Sequence, residues 1–382
     1  MAAHRDITVG PAVRTTTAIE IEHAVFTSNR SISGQGYRVV AWSPGVTVEE
    51  QQHLAKSSPS HNSMCDASDS AVALSFYNLR SGRHCVARTT HAGREQTGRG
   101  GQRVLTQSFV LTGEQLARFQ NNPFSVLRAL EAARGFVADH RLPRTLQPVH
   151  PSLALGARKN PSASVIASGF DAVGHQMMGF LLNHAIRAAT VRERSPSLIA
   201  AGIEPAAIVV EALLLAMPVH LRSAFSFTIG LKFALSRRYR ISMVGPDLAH
   251  TRRIIAGQGI QLLESADTND VPAHEQSSWA TMVLDCRNTG QLEALVALNG
   301  KWFDDAAPET LDHVARLRIT LNHLEEFSIA ELLTALEPVK PPPRSEIERQ
   351  LELELTANAD AVLSARLPVA PPEEVHSPCH RR

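Results

Sequence analysis

The sequence predicts a multidomain α+β protein: a mixed, mostly antiparallel β domain at the N-terminal side, an α+β middle domain, and a helical C-terminal part with a Pro-rich tail. Three observations carry this. Up to Leu111, β-branched and aromatic runs are punctuated by Gly, Ser, Pro and Asn turns. Between residues 164 and 255, helical and strand patterns mix, and from Pro308 apolar residues recur at three- and four-residue spacing. A chain of 382 residues with 43% hydrophobic residues suffices for two or three ordinary cores.

The polar stretch before Thr17 reads as a loose arm. Ile19, Ile21, His23 and Val25 alternate with polar or small residues, as a half-buried strand requires, and Tyr37 to Trp42 forms a second strand closed by Ser43-Pro44-Gly45. Gly34 and Gly36 fit a turn between the two. Thr47 can cap a short helix carrying Glu49, Glu50 and Leu54. After the polar loop 57–70, Ala71 to Leu79 and His84 to Thr90 read as a hairpin around Ser81-Gly82, and the Gly/Arg loop 93–103 leads into a strand from Val104 to Leu111. Thr112 opens a helix with Leu116 and Phe119, Asn122-Pro123 breaks it, and Val126 to Phe136 forms another.

Residues 137–163, rich in Pro, His and Arg, hold the first boundary, so the N-terminal domain spans 17–150 and the middle domain 164–255. Ser164 to Ala167 is a short strand candidate. Ala172 to Ala189 places Val173, Met177, Phe180, Leu181, His184 and Ala185 on one helical face. Pro205 starts a very apolar helix that Pro218 ends, and Ala224 to Leu231 and Tyr239 to Val244 read as strands joined by the basic connection Ser236 to Arg240. Leu248 to Ile255 and Ser277 to Leu284 are ambiguous between helix and strand. The helical part, 256–337, includes a capping box at Ser328 and Glu331. The segment 338–382 starts with the stiff linker PVKPPP and continues with a second capping box at Ser345 and Glu348, a helix whose stripe is Ile347, Leu351, Leu355 and Val362, and a disordered tail.

Net charge of +1 supplies no global field for nucleic acid or an anionic membrane. The most apolar segment, Ala206 to Val219, is interrupted by Glu211 and Pro218 and is too short to span a bilayer. With no apolar core of a signal peptide at its start, the chain reads as cytoplasmic. Four widely spaced cysteines suggest free thiols, and with five lysines among 38 basic residues the positive charge is carried almost wholly by Arg.

The unit 22–45, with its strand, Gly/Ser loop, Gly-Tyr strand and Ser-Pro-Gly turn, resembles the N-terminal domain of GTPase-associated protein one, an adaptor-like component of bacterial GTPase-centred conflict systems. Its motif falls on Ser33, Gly34, Gly36, Tyr37, Ser43, Pro44 and Gly45. A second likeness is the Gly-Arg loop, strand and Asn-Pro of residues 98–123, where Ser108-Phe109-Val110 stands in a stretch in which many relatives carry a histidine. A third is MPVHLR, AFSFTIGLKF and SRRYR between residues 213 and 245. The resemblance implies a non-catalytic adaptor or scaffold that binds proteins, among them a GTPase-like NTPase, without a cofactor. Its contact surface would be the N-terminal sheet, the Arg loops or the helix Glu346 to Leu363.

Two alternatives are an enzyme with an unrecognised site in the N-terminal domain and a nucleic-acid binder using the Arg-rich strip 222–253. Gly93 to Gly100 comes close to GxxxxGK[ST] but has Arg99 for the lysine and Gly100 for the hydroxyl, and it precedes a strand. Arg94, Arg99 and Arg103 are therefore candidates for gripping an acidic or phosphorylated partner, as are Arg237, Arg238 and Arg240 in the strip Arg222, Lys232, Arg237, Arg238, Arg240, Arg252, Arg253. The seventeen histidines show no HExxH or other metal spacing, and no GxSxG elbow is present. Cys65 with His61 or His84 is a conceivable thiol dyad.

Overall fold

The computed structural model describes residues 19–31, 34–94, 101–137, 142–151, 162–190, 197–237, 239–264, 277–301, 308–326, 328 and 346–366. The chain divides into two compact units, Met1–Glu275 with Leu292–Trp302, and Gln276–Gln291 with Phe303–Arg382. The protein is α+β and multidomain.

The first unit is built on a sheet with nine strands among the described residues: β1 (Glu22–Ser31), β2 (Gly34–Trp42), β3 (Val72–Asn78), β4 (His84–Arg94), β5 (Gln102–Leu111), β6 (Leu198–Ala201), β7 (Phe227–Ile229), β8 (Ile241–Val244) and β9 (Gln261–Glu264). Their order is β2-β1-β5-β4-β3-β7-β8-β6-β9. The first five pair antiparallel, as the N-terminal half predicts. The last four pair parallel with one another, and β7 joins the two halves by running antiparallel to β3, with Phe76 opposite Phe227. The segments 17–150 and 164–255 thus contribute strands to one continuous sheet.

Helix α1 (Val48–Ser57) is fixed by the predicted cap: Thr47 Oγ1 accepts from Glu50 N–H at 3.2 Å while the Glu50 carboxylate accepts from Thr47 N–H at 3.0 Å. Thr112 and Gln115 repeat the device for α2 (Gly113–Ala117), and Asn122, followed by Pro123, caps α3 (Pro123–Ala132). One core cluster includes Leu54 of α1, Ala24, Tyr77, Leu79, Cys85, Ala87, Val110 and Tyr239. Elsewhere Phe124 of α3 stacks on Phe227 with ring centroids 5.5 Å apart.

The turn expected at Gly34 and Gly36 does not form there. Both glycines belong to β2, because the ladder pairs Ser31 with Gly34 and Asn29 with Gly36. Gly36 has φ +125°, a conformation that L side chains rarely adopt. The strand expected at Ser164 to Ala167 is the first turn of helix α4 (Ser162–Thr190), which bends at Gly174. Its local β-branched pair is overridden by helical spacing that buries Ile166 and Phe170 together, and Gly169 lets the helix approach α5 (Ala206–Ala216) so closely that an added Cβ would stand 2.3 Å from Ala212 Cβ. Helix α5 ends at Ala216, with Met217 as its extended C-cap before the predicted stop at Pro218. Leu248 to Ile255 resolves as helix α6 (Ala249–Ile255).

The second unit contains helix α7 (Ser278–Asn288), while helix α8 (Leu292–Asn299) belongs to the first. Helix α9 (Pro308–Asn322) packs against α10 (Glu346–Arg366), whose buried stripe is Ile347, Leu351, Leu355, Ala359 and Leu363. Val362 is half-buried and Leu363 takes the inward position. The capping box at Ser328 and Glu331, the linker PVKPPP, Ser345 and the tail fall outside the described residues, except for Ser328 itself.

Candidate functional site

The motif of the opening β-unit is an internal fastening. Ser43, fully buried, accepts from His23 N–H at 2.8 Å and donates back to His23 carbonyl at 3.1 Å, which pins the turn to the start of β1. Val46 N–H closes that turn on Ser43 carbonyl at 3.0 Å, and Gly45 N–H donates to Glu22 at 3.1 Å. Tyr37 reaches across the sheet, its hydroxyl accepting from Val104 N–H at 3.2 Å and its ring stacking on Phe26 and His61. Ser33 is outside the described residues. His23 stacks on Phe109 and donates from Nε2 to Gln147 carbonyl at 2.8 Å. Burial lowers its pKa, so the ring stays neutral.

The Arg candidates separate. Arg94 is exposed at the end of β4. Arg103 folds onto the sheet and donates to Ala92 carbonyl from Nε at 3.1 Å and Nη2 at 2.7 Å, with Nη1 near Ser28 carbonyl at 3.4 Å. Arg99 and Arg238 are outside the described residues. Ser108 is buried in β5, paired with Ala24 on one side and Ala87 on the other. Cys65, His61 and His84 are engaged apart: the Cys65 sulfur accepts from Gly245 N–H at 3.2 Å and His84 bonds Asn78 at 2.8 Å. Burial pushes the Cys65 thiol up, opposite to what a thiolate nucleophile requires.

The basic stretch 222–253 does not form one face. Arg222, 3% exposed, is a core residue that donates to Met217 and Gln120 carbonyls at 3.1 Å and to Leu215 carbonyl at 3.4 Å, closing the C-terminal end of α5. Arg252 pairs with Glu264 at 2.5 Å, and Arg253 bonds the Ala249 carbonyl of its own helix.

Arg237 and Arg240 turn elsewhere, into a cleft of about 630 Å³. Its walls are the face of α1 from Glu49 to Ser57, the end of β3 with Arg80, and residues between Ala224 and Arg240. Lys56, Arg80, Arg237 and Arg240 line it against the single carboxylate of Glu49. His53 accepts on Nδ1 from Arg80 N–H at 3.1 Å, which leaves Nε2 to carry the ring proton. Burial, then Arg80 and Lys56, lower the His53 pKa. Tyr77 and Tyr239 meet edge to face with centroids 6.0 Å apart. Both phenols are pushed upward by burial, Tyr239 to about 12, so they remain neutral.

Sequence reasoning named Arg237 and Arg240 but missed Lys56, Arg80 and His53, which come from segments far away in the chain. The signal lay in α1: Glu49, Gln52, His53 and Lys56 recur at helical spacing on one polar face. Among the described residues no three His, Cys, Asp or Glu side chains gather as metal ligands, and no helix is long and apolar enough to cross a membrane.

Residues 20–148 match the family model described as GTPase-associated protein 1, N-terminal domain type 2. The match covers the five antiparallel strands and α1 to α3. No curated protein matches the chain.

Proposed function

We infer from the GTPase-associated protein 1 domain at residues 20–148 that the chain is a non-catalytic adaptor or scaffold in a bacterial GTPase-associated conflict or defence system. That match is the observation that carries the reading. The way the motif residues are spent supports it: Ser43, Gly45 and Tyr37 bind other parts of the same sheet, so the motif builds a rigid platform. The helix Glu346 to Leu363, a candidate contact surface by sequence, buries its apolar stripe, which moves the expected surface toward the first unit. The partner class is a GTPase-like NTPase, and the place of action the cytoplasm.

Affinity capture of the tagged full chain from its native host, with and without GTP, followed by mass spectrometry, tests this. Enrichment of an NTPase in either state is the expected result. Its absence in both would overturn the adaptor reading.

A further inference from the structure

We propose that the cleft between α1, the end of β3 and the segment 224–240 binds a phosphate-bearing small anion of about nucleotide size. Four lining cations face one carboxylate, in a chain whose total excess is a single positive charge. Concentrated, same-sign charge within a concave wall focuses potential and raises the local concentration of an anion. Among the described residues no carboxylate pairs with Lys56, Arg80 or Arg237.

Arg237 sharpens the argument. It is drawn into the cleft wall, with Nη2 on Lys232 carbonyl at 3.1 Å, and burial lowers its pKa. A partly desolvated guanidinium with one carbonyl partner keeps most of its donors for an incoming oxyanion, in the fork geometry that suits phosphate. Arg80 and Lys56 line the same cleft, and His53 adds a neutral Nε2–H donor. A ligand that brings several acceptor oxygens satisfies this set.

Size and shape select the class. The volume of about 630 Å³ lies within the roughly 300–1,000 Å³ of small-molecule sites. A single-stranded nucleic acid would need a groove tracking several nucleotides, whereas this is one concavity. The exposed Leu235 gives the lining an apolar side chain, and Glu49 can accept from a hydroxyl or amino group. A phosphate attached to a ring-bearing body uses both.

The inference is independent of the adaptor reading, and its test needs only the purified full chain. Titration calorimetry at low and moderate salt would use pyrophosphate, GTP and ATP as probes, guanosine and adenosine as phosphate-free controls, and sulfate as a generic anion. At least one phosphate compound is expected to bind saturably in the micromolar range, with no binding by the nucleosides and at least tenfold weaker binding by sulfate. Lys56→Glu and Arg80→Glu, both at exposed positions, are each expected to weaken binding at least tenfold, while Arg118→Glu, at the exposed C-cap of α2, leaves it unchanged. Arg80→Gln, with an intact circular dichroism spectrum, provides the same reading at smaller amplitude if a reversal disturbs folding. Absence of saturable binding by all three phosphate probes, equal binding by the nucleosides or sulfate, or affinity indifferent to both cleft substitutions would overturn the proposal. Successful capture of an NTPase by a chain that binds no phosphate would leave the adaptor reading standing alone, and the reverse outcome would leave this one.

Discussion

Replacing Arg222 tests whether the basic middle segment serves the core before it serves any ligand. Its guanidinium makes two 3.1 Å bonds, to Met217 and Gln120 carbonyls, each charge-assisted and worth about 1.5–3 kcal/mol. The third, at 3.4 Å to Leu215 carbonyl, adds little, because that oxygen also accepts from Asn299 at 2.8 Å. Against this stands the burial of a cation, which pushes its pKa down to about 10 and corresponds to about 3 kcal/mol opposing the charged state. Arg222→Met removes both contributions while keeping much of the packing, so the expected net loss is about 2 kcal/mol. Arg222→Lys should be worse: it retains a buried charge, but one ammonium cannot span the carbonyls of Gln120 and Met217 as a planar fork does. Urea unfolding followed by circular dichroism should give midpoints in the order wild type, Met, Lys, with slopes unchanged. A lysine variant at least as stable as the methionine variant, or a methionine variant equal to wild type, would refute the reasoning.

Glu211, buried in α5, holds Arg128 through 2.7 and 2.9 Å bonds and accepts from Asn122 at 3.1 Å; because the Arg128 side chain is half exposed and water takes over its charge, Glu211→Ala should destabilise the first unit by about 1–3 kcal/mol in the same urea assay, and no change in midpoint would contradict the geometry. Acid should also destabilise this unit. Burial lowers the pKa values of His23, His84, His184 and His220, the last to about 4 with Arg222 beside it as the second cause. The unfolded chain, with histidine near 6.5, therefore binds more protons between about pH 4 and 6.5, and stability rises with pH through that window. His220→Gln should flatten the profile, its share being up to about 3 kcal/mol less the screening of a half-buried ring. His323 in the second unit has the opposite sign: Asp285 at 2.6 Å and Glu326 at 3.0 Å raise its pKa, so its contribution is full below about pH 6.5 and is lost as pH climbs through the folded value. Thermal melts of His323→Gln should lose the difference between pH 6 and pH 9 that this residue confers.

Much of the antiparallel half was legible, because its signals are local. Thr47 with Glu50, Thr112 with Gln115, and Asn122-Pro123 each specify a helix start within a few residues, and Ser81-Gly82 specifies a hairpin whose Gly82 has φ +83°. The parallel strands were harder to read. β6, Leu-Ile-Ala-Ala, and β9, Gln-Leu-Leu-Glu, have four residues each, and leucine and alanine favour helix in isolation; only burial between β8 and β9 makes β6 a strand. Register was equally hidden. Nothing near Gly36 says that it pairs with Asn29 inside the ladder instead of forming a turn. For the cleft, the polar face of α1 and the cations at 237 and 240 were both visible. Their convergence depends on Tyr77 and Tyr239 meeting in the core, a contact between residues more than a hundred positions apart.

The antiparallel pairing of β3 with β7 means that the stretch defined by ancestry and the stretch able to bury its own hydrogen-bonding groups end in different places. Cut out at residue 148, the domain would leave Leu74, Ser75 and Phe76 without their partners Ile229, Thr228 and Phe227, a raw seam ready to stick to any extended peptide. Whoever trims this chain to its recognisable part should expect a sticky fragment, and should carry the cut past α8, whose Asn299 is bonded to Leu215 carbonyl of the same unit.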